Sequence, residues 1–315
     1  MKKIFISILS MILVSVIMTS CFDTTTSVAD EMELRQTTID VSLPGTTRTV
    51  DGVPSDMVLY YQVIDLATGL PYITQTSTRS EEIQYIPMDD ACTATISCKL
   101  PKNKDFKLVC WAQAKDNDCY DVTDLQHVAV NYHSVSSCGD DMLAYRGCAN
   151  LTSSSDDEVS MNLTLSPAVA GVKIMTLVKY IGIELAQTVE LEGAKLFLSI
   201  SDIPTTYNVV DNVMQDYTTH PVNLGGTEIL TDETVDGDNT YQTLNNLYLL
   251  AGYEYTCNMA FEIVGGDGAV KQVTLGKVRL KPEYTSVIKD AFFCIPIIFE
   301  VTVDEWNDQV NNIEF

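Results

Sequence analysis

Positive charge is scarce in this chain: 19 Lys and Arg stand against 43 Asp and Glu, a formal net charge of -24. Phosphate backbones and anionic lipid surfaces are gripped by Lys and Arg, so this balance argues against both as partners. Histidine is scarcer still, with His127, His133 and His220 the only three. His127 and His133 are six apart, which at ~3.3 Å per extended residue separates them by about 20 Å, too far to share a metal. GxSxG, HExxH and phosphate-cradling glycine loops are absent, and no repeat of fixed period is found. No cysteine spacing is CxxC-like, which disfavours a zinc site. The acidic clusters Asp116-Asn117-Asp118, Asp156-Asp157-Glu158 and 232–239 carry oxygens suited to calcium but lack the twelve-residue EF-hand pattern, and read as solvated loop tips. No feature singles out a carboxylate pair for glycoside cleavage. The expectation is a protein that is not an enzyme, with no catalytic residue, metal or cofactor. What is present is substance for a core: 315 residues, 46 % of them hydrophobic, enough for two ordinary domains.

Long apolar runs are missing as well, save one at the start. Lys2 and Lys3 precede residues 4–18, an apolar stretch interrupted only by serines. As a helix it would span about 22 Å, short of a ~30 Å hydrocarbon core. A basic leader and a short apolar stretch read as an export signal, not a membrane span. Met18-Thr19-Ser20-Cys21 follows and resembles a bacterial lipobox, in which the cysteine is lipidated and becomes the new N-terminus. Ordinary signal cleavage nearby, with Cys21 incidental, is the alternative.

Eight further cysteines permit disulfides in an exported chain but do not assign them. Cys92 and Cys98 on one extended strand would lie about 20 Å apart, beyond bridging distance. Cys98 and Cys110 flank a hairpin-like turn at residues 101–105 and could lie opposite one another. Cys110, Cys257 and Cys294 sit in apolar runs and read as buried, unpaired thiols.

From there on the dominant period is two. Residues 38–43 alternate, with Ile39, Val41 and Leu43 on one face and Thr38, Asp40 and Ser42 on the other. Residues 57–64 are apolar on both faces, as an interior strand would be. Further strands are expected at 92–100, 106–114, 126–132, 159–165, 169–180, 194–201, 246–250, 254–264, 271–280 and 297–303. Residues 153–158 and 231–239 read as acidic loops, and 284–293 as a place for a helical turn or two. This spacing predicts all-β architecture, two tandem antiparallel β-sandwich domains after a lipoprotein signal, with a boundary near Leu165–Pro167.

Several stretches resemble the fimbrillin-like family of Bacteroidales, the subunits of type V pili. They include Leu59-Tyr60-Tyr61-Gln62-Val63-Ile64-Asp65, Phe106-Lys107-Leu108-Val109-Cys110-Trp111-Ala112-Gln113-Ala114 and Leu165-Ser166-Pro167-Ala168-Val169-Ala170. The second half adds Asn246-Leu247-Tyr248-Leu249-Leu250-Ala251 and Val278-Arg279-Leu280-Lys281-Pro282-Glu283-Tyr284-Thr285-Ser286-Val287-Ile288.

The resemblance implies transthyretin-like sandwiches divided as 1–20 signal peptide, 21–48 lipidated propeptide with the first strand, 49–166 N-terminal and 167–315 C-terminal domain. It implies a cell-surface adhesion subunit, held at the outer membrane by lipid on Cys21 (palmitate among its acyl chains) and then incorporated into an extracellular fimbria. A trypsin-like surface protease would cut after Arg48, releasing the strand carrying Ile39, Val41 and Leu43. The emptied groove would accept a C-terminal donor carrying Ile297, Phe299, Val301, Val303 and Trp306 from another subunit. Partners would then be further copies and other pilus subunits. Arg35 would lie before the strand, so that cutting there frees lipid without opening the groove. Alternatives stay open on the residues themselves: Arg48 as a plain surface arginine, and 297–303 as an ordinary core strand with 306–315 as donor. A further alternative is a monomeric lipid-anchored protein that binds glycan or host protein. Metabolic labelling with a fatty acid should mark the wild type and not Cys21→Ala; equal labelling of both would remove the lipoprotein reading.

Overall fold

The computed structural model describes residues 33–44, 56–72, 83–132, 138–177, 193–230, 232–266, 268–290, 292, 299–305 and 310–311. In chain order the first half holds β1 (Leu34–Ser42), β2 (Met57–Asp65), β3 (Leu70–Pro71), β4 (Gln84–Pro87), β5 (Thr93–Pro101), β6 (Phe106–Ala114), β7 (Tyr120–Asp121), β8 (Val128–Val130), β9 (Ala144–Leu151), β10 (Glu158–Thr164) and β11 (Ser166–Pro167). The second half holds β12 (Val169–Leu177), β13 (Lys195–Ser201), β14 (Pro204–Asn208), β15 (Val213–Tyr217), β16 (Val222–Glu228), β17 (Glu233–Asp236), β18 (Asn239–Leu250), β19 (Tyr255–Val264), β20 (Val270–Leu280), β21 (Tyr284–Asp290), β22 (Phe299–Glu305) and β23 (Val310–Asn311). The only helix among the described residues is one 3-10 turn, Asp140–Met142. None of their helices is long and apolar enough to cross a membrane.

Two sheets face each other in the first half. A three-stranded sheet runs β10-β1-β5, and a larger one runs β11-β9-β6-β2-β3 with β4 on β2. Ile39, Ile96, Leu100, Leu59, Leu108 and Tyr145 meet between them, each less than 2 % exposed. Strand β6 obeys the period-two rule on both sides. Phe106, Leu108, Cys110 and Ala112 enter this core, while Val109 and Trp111 point the opposite way into a second one.

The second core belongs to the other half. There β17-β18-β12-β21-β22-β23 forms one sheet and β16-β13-β19-β20 another. The chain crosses over at Ala168: β11 pairs with β9, and β12 opens the next sheet beside β18. A fifth sheet, β15-β14-β8-β7, takes strands from both halves, with Thr206 opposite Ala129 and Tyr207 opposite Val128. Tyr207 is its pivot. Its ring lies 6.3 Å from that of Trp111 and 5.2 Å below the Arg146 guanidinium, which also donates to the Gly252 carbonyl at 3.0 Å.

Several sequence expectations need correction. Residues 284–290 form the strand β21, parallel to β12, not a helical turn. Residues 233–236 are β17, one arm of a hairpin on β18, whose turn holds Gly237 at φ 58°, a left-handed conformation that glycine adopts at little cost. Strand β18 starts at Asn239, well before 246, and β9, β14, β15 and β16 were not expected. Residues 101–105 are not a hairpin turn. They carry the chain from β5 in one sheet to β6 in the facing sheet, so Cys98 and Cys110 share a core instead of a ladder.

Six of the described cysteines are free thiols, Cys98, Cys110, Cys119, Cys138 and Cys257 buried and Cys148 exposed. Burial pushes Cys98 and Cys119 up to about 11 and Cys138 and Cys257 up to about 12. These groups stay neutral and fill space. Cys294 lies outside the described residues.

Gly252 is buried directly against the Tyr207 ring, and a Cβ there would collide with it. Gly252→Ala should therefore destabilise the chain by about 1–3 kcal/mol in urea unfolding. Gly225→Ala, which meets nothing within 4 Å, should change stability by no more than ~0.5 kcal/mol.

Candidate functional site

The residues that sequence reading placed on a removable strand lie at the centre of the smaller sheet. Strand β1 is flanked on both sides, antiparallel to β5 from Leu34–Pro101 to Ser42–Thr93 and parallel to β10 from Gln36–Glu158 to Ser42–Thr164. Alternation decides which side chains turn inward. Ile39 and Val41 are fully buried and Leu43 is 7 % exposed, whereas Asp40 faces outward and accepts a hydrogen bond from Thr95 Oγ1 at 2.7 Å.

Both ends of β1 are tied down. Gln36 N–H donates to Asp157 O, Lys102 N–H to Glu33 O, and Leu43 N–H to Cys92 O. Lys102 also bridges three strand ends through its ammonium, 3.1 Å from Glu33 and 2.7 Å from Asp157. The hydrogen bonds Lys102 donates to these carboxylates hold the lysine above its usual range, and the one to Asp157 holds that acid below its own. Both acids are open to water, so the bridge fixes register more than it stabilises.

Without β1, strands β5 and β10 would each lose a partner along one edge, with no ladder between them. Ile96, Cys98 and Leu100 on β5, and Leu59, Tyr61 and Leu108 on the facing sheet, would line an open apolar groove. The three buried apolar side chains, Ile39 and Val41 on β1 and Leu43 just past its end, contribute about 5–9 kcal/mol at ~1.5–3 each, an upper bound because an unfolded chain is not fully extended. This geometry can do one thing chemically: hold an extended apolar segment by main-chain ladders and alternate side chains.

Strand β1 begins at Leu34, so Arg35 does not precede the strand as expected. It lies within it, 1 % exposed, on the same inward face as Thr37 and Ile39. The signal was available, since Arg35 and Thr37 share the odd-numbered parity of Ile39, Val41 and Leu43, but their polarity hid it.

Other expected site residues are not brought together with this groove. Cys21, Arg48, Ile297 and Trp306 lie outside the described residues. Phe299, Val301 and Val303 lie on β22, which pairs with β21 in its own chain from Tyr284–Glu305 to Asp290–Phe299. His133 is also outside the described residues; His127 is exposed, 3.8 Å from Asp216. Asp236 of the acidic stretch 231–239 is engaged by Lys289 at 2.8 Å. No group of three His, Cys, Asp or Glu among the described residues could hold a metal ion.

The sequence model of a family of unknown function, DUF6562, matches residues 62–314. The chain belongs to this family. The matched span of DUF6562 begins inside β2, so β1 stands before it. No curated protein matches.

Among solved structures, this DUF6562 chain shares its fold with a candidate polysaccharide-binding protein (DUF1812) from Bacteroides thetaiotaomicron, at 12% identity and a TM-score of 0.51, covering 89% of this chain and 98% of that one. A candidate cell adhesion protein from Bacteroides ovatus matches at 10% identity and a TM-score of 0.50, covering 87% and 99%. The fimbrial anchor protein Mfa2 from Porphyromonas gingivalis matches at 12% identity over 88% and 99%, with a TM-score of 0.43, a level at which shape carries no argument. At 10–12% identity, the two structures with TM-scores of 0.50 and 0.51 show the fold alone for this chain. None of these three is described as an enzyme.

Ile39→Ala should lower unfolding stability by about 2–5 kcal/mol, as truncation in a closed core does. Asp40→Ala, one position along on the outer face, should cost no more than ~1.5 kcal/mol, the worth of its hydrogen bond from Thr95. Equal losses at the two positions would contradict the placement of β1.

Proposed function

We propose that this chain is the precursor of a non-enzymatic, self-polymerising subunit of a surface fimbria that mediates adhesion. It would be exported, lipidated at Cys21 and anchored in the outer membrane. A trypsin-like protease would then cut after Arg48, in Gly45-Thr46-Thr47-Arg48-Thr49-Val50. Cleavage would detach β1 together with its lipid, and the C-terminal end of another copy would take its place. The donor would come from residues 297–315, with Ile297, Phe299, Val301, Val303 and Trp306 as its anchors.

The observation that carries this reading is the position of β1. It is the first described strand of the chain, it lies between two strands that do not pair with each other, and with Leu43 just past its end it presents three alternate buried apolar residues. Loss of such a strand leaves two unpaired edges and an apolar trough, a combination that recruits another strand. The fold shared with a candidate cell adhesion protein supports the same reading. Charge opposes it at long range, since copies at a formal -24 repel, so association must be driven by short-range burial and ladder bonds.

Trypsin-limited precursor should form ladders on gels run without boiling, and its new N-terminus should be Thr49. Arg48→Ala, and a chain ending at Asp304, should both remain monomeric. A wild-type chain that stays monomeric after cleavage at Arg48, with β1 retained, would favour a lipid-anchored binding protein instead.

A further inference from the structure

The inward face of β1 does not end in hydrocarbon. Beyond Ile39 it continues through Thr37 and Arg35, both buried, at 0 % and 1 % exposure. The Arg35 guanidinium donates one long hydrogen bond, from Nη2 to the Leu151 carbonyl at 3.4 Å. Its Nε and Nη1 are buried with no partner, and so is Thr37 Oγ1.

Nearby acids are engaged elsewhere. Lys102 takes Glu33 and Asp157, Asp105 accepts the Ser153 N–H at 2.6 Å, and Asp156 accepts from Ser154 Oγ at 3.0 Å. An uncompensated buried guanidinium is unfavourable, and its planar fork of five N–H donors matches a carboxylate.

Arg35 and Thr37 line a cavity of about 370 Å³ at this end of the sandwich. That size lies within the ~300–1,000 Å³ of small-molecule sites and exceeds the needs of a lone ion. Asn150, Thr152 and Ser154 bring amide and hydroxyl groups to it, and Val159 and Met161 of β10 supply an apolar wall. Asp156 also lines the cavity, so a single negative charge is better tolerated there than a phosphate dianion.

We infer that this cavity binds a sugar acid, with the carboxylate on Arg35, ring hydroxyls on the amide and hydroxyl groups, and the C–H face of the ring against Val159 and Met161. Guanidinium, hydroxyls and an apolar wall in one small cavity are the complements of those three parts of the ligand. Because Arg35 and Thr37 belong to β1, the site exists while β1 is seated, and it does not depend on whether β1 is later released.

Isothermal titration of the full chain with glucuronate, galacturonate and N-acetylneuraminate, with glucose and inorganic phosphate as comparisons, tests this. At least one sugar acid should bind saturably, with glucose silent and phosphate at least tenfold weaker. Arg35→Met should weaken that binding at least tenfold. Thr152→Trp, which fills the exposed rim and leaves Arg35 in place, should do the same and covers the case in which Arg35→Met does not fold. The inference is overturned if no sugar acid binds, or if both variants bind as the wild type does. It is equally overturned if phosphate, or a peptide of residues 310–315 with a free C-terminal carboxylate, binds as tightly as the best sugar acid.

Discussion

Burial of β6 on both faces is the constraint around which the described fold is arranged. A strand with Phe106, Leu108, Cys110 and Ala112 on one side and Val109 and Trp111 on the other cannot lie at a surface. It must be a partition between two cores, and the sheet that contains it becomes one. The smaller sheet closes one face. The shared sheet closes the other, bringing Tyr207 from the second half against Trp111 and Arg146. The halves are therefore joined by side-chain packing and by the β8–β14 ladder, not by the single crossover at Ala168 alone.

Strand β1 is the opposite case, well buried yet separable in principle. Its stabilisation is concentrated in three side chains and two ladders, all directed at neighbours far along the chain: β5 and β10. A segment held in that way has few local contacts to lose and leaves a complete template behind it. The same property that makes β1 necessary to the small sheet would make its site reusable by another strand of matching alternation.

Polarity along β1 is graded. From Leu43 to Ile39 the inward face is apolar and closed, and from Thr37 to Arg35 it is polar and only partly satisfied. Native cores rarely leave several donors of one buried guanidinium without acceptors. The cavity beside Arg35 offers room for what is missing, and the acids that might have served are already committed to Lys102, Ser153 and Ser154. Overall acidity is thus compatible with a local, buried positive site.

By itself the sequence determined the local terms: a strand-rich chain, the inward parity of Ile39, Val41 and Leu43, the two-faced apolar character of residues 57–64, and a strand at 106–114. These follow from side-chain alternation, which is a property of adjacent residues. Tertiary structure decided what alternation cannot encode. It set β1 between β5 and β10, made β21 the parallel neighbour of β12, and drew β14 across to β8. It also converted the acidic stretch at 233–236 into a strand, because a hairpin partner, β18, was present to satisfy its backbone. The place of Arg35 was decided in the same way. Parity along the chain puts Arg35 on the inward side, but only the length of the adjacent strand β5, which pairs with β1 as far as Leu34, carries it into the interior.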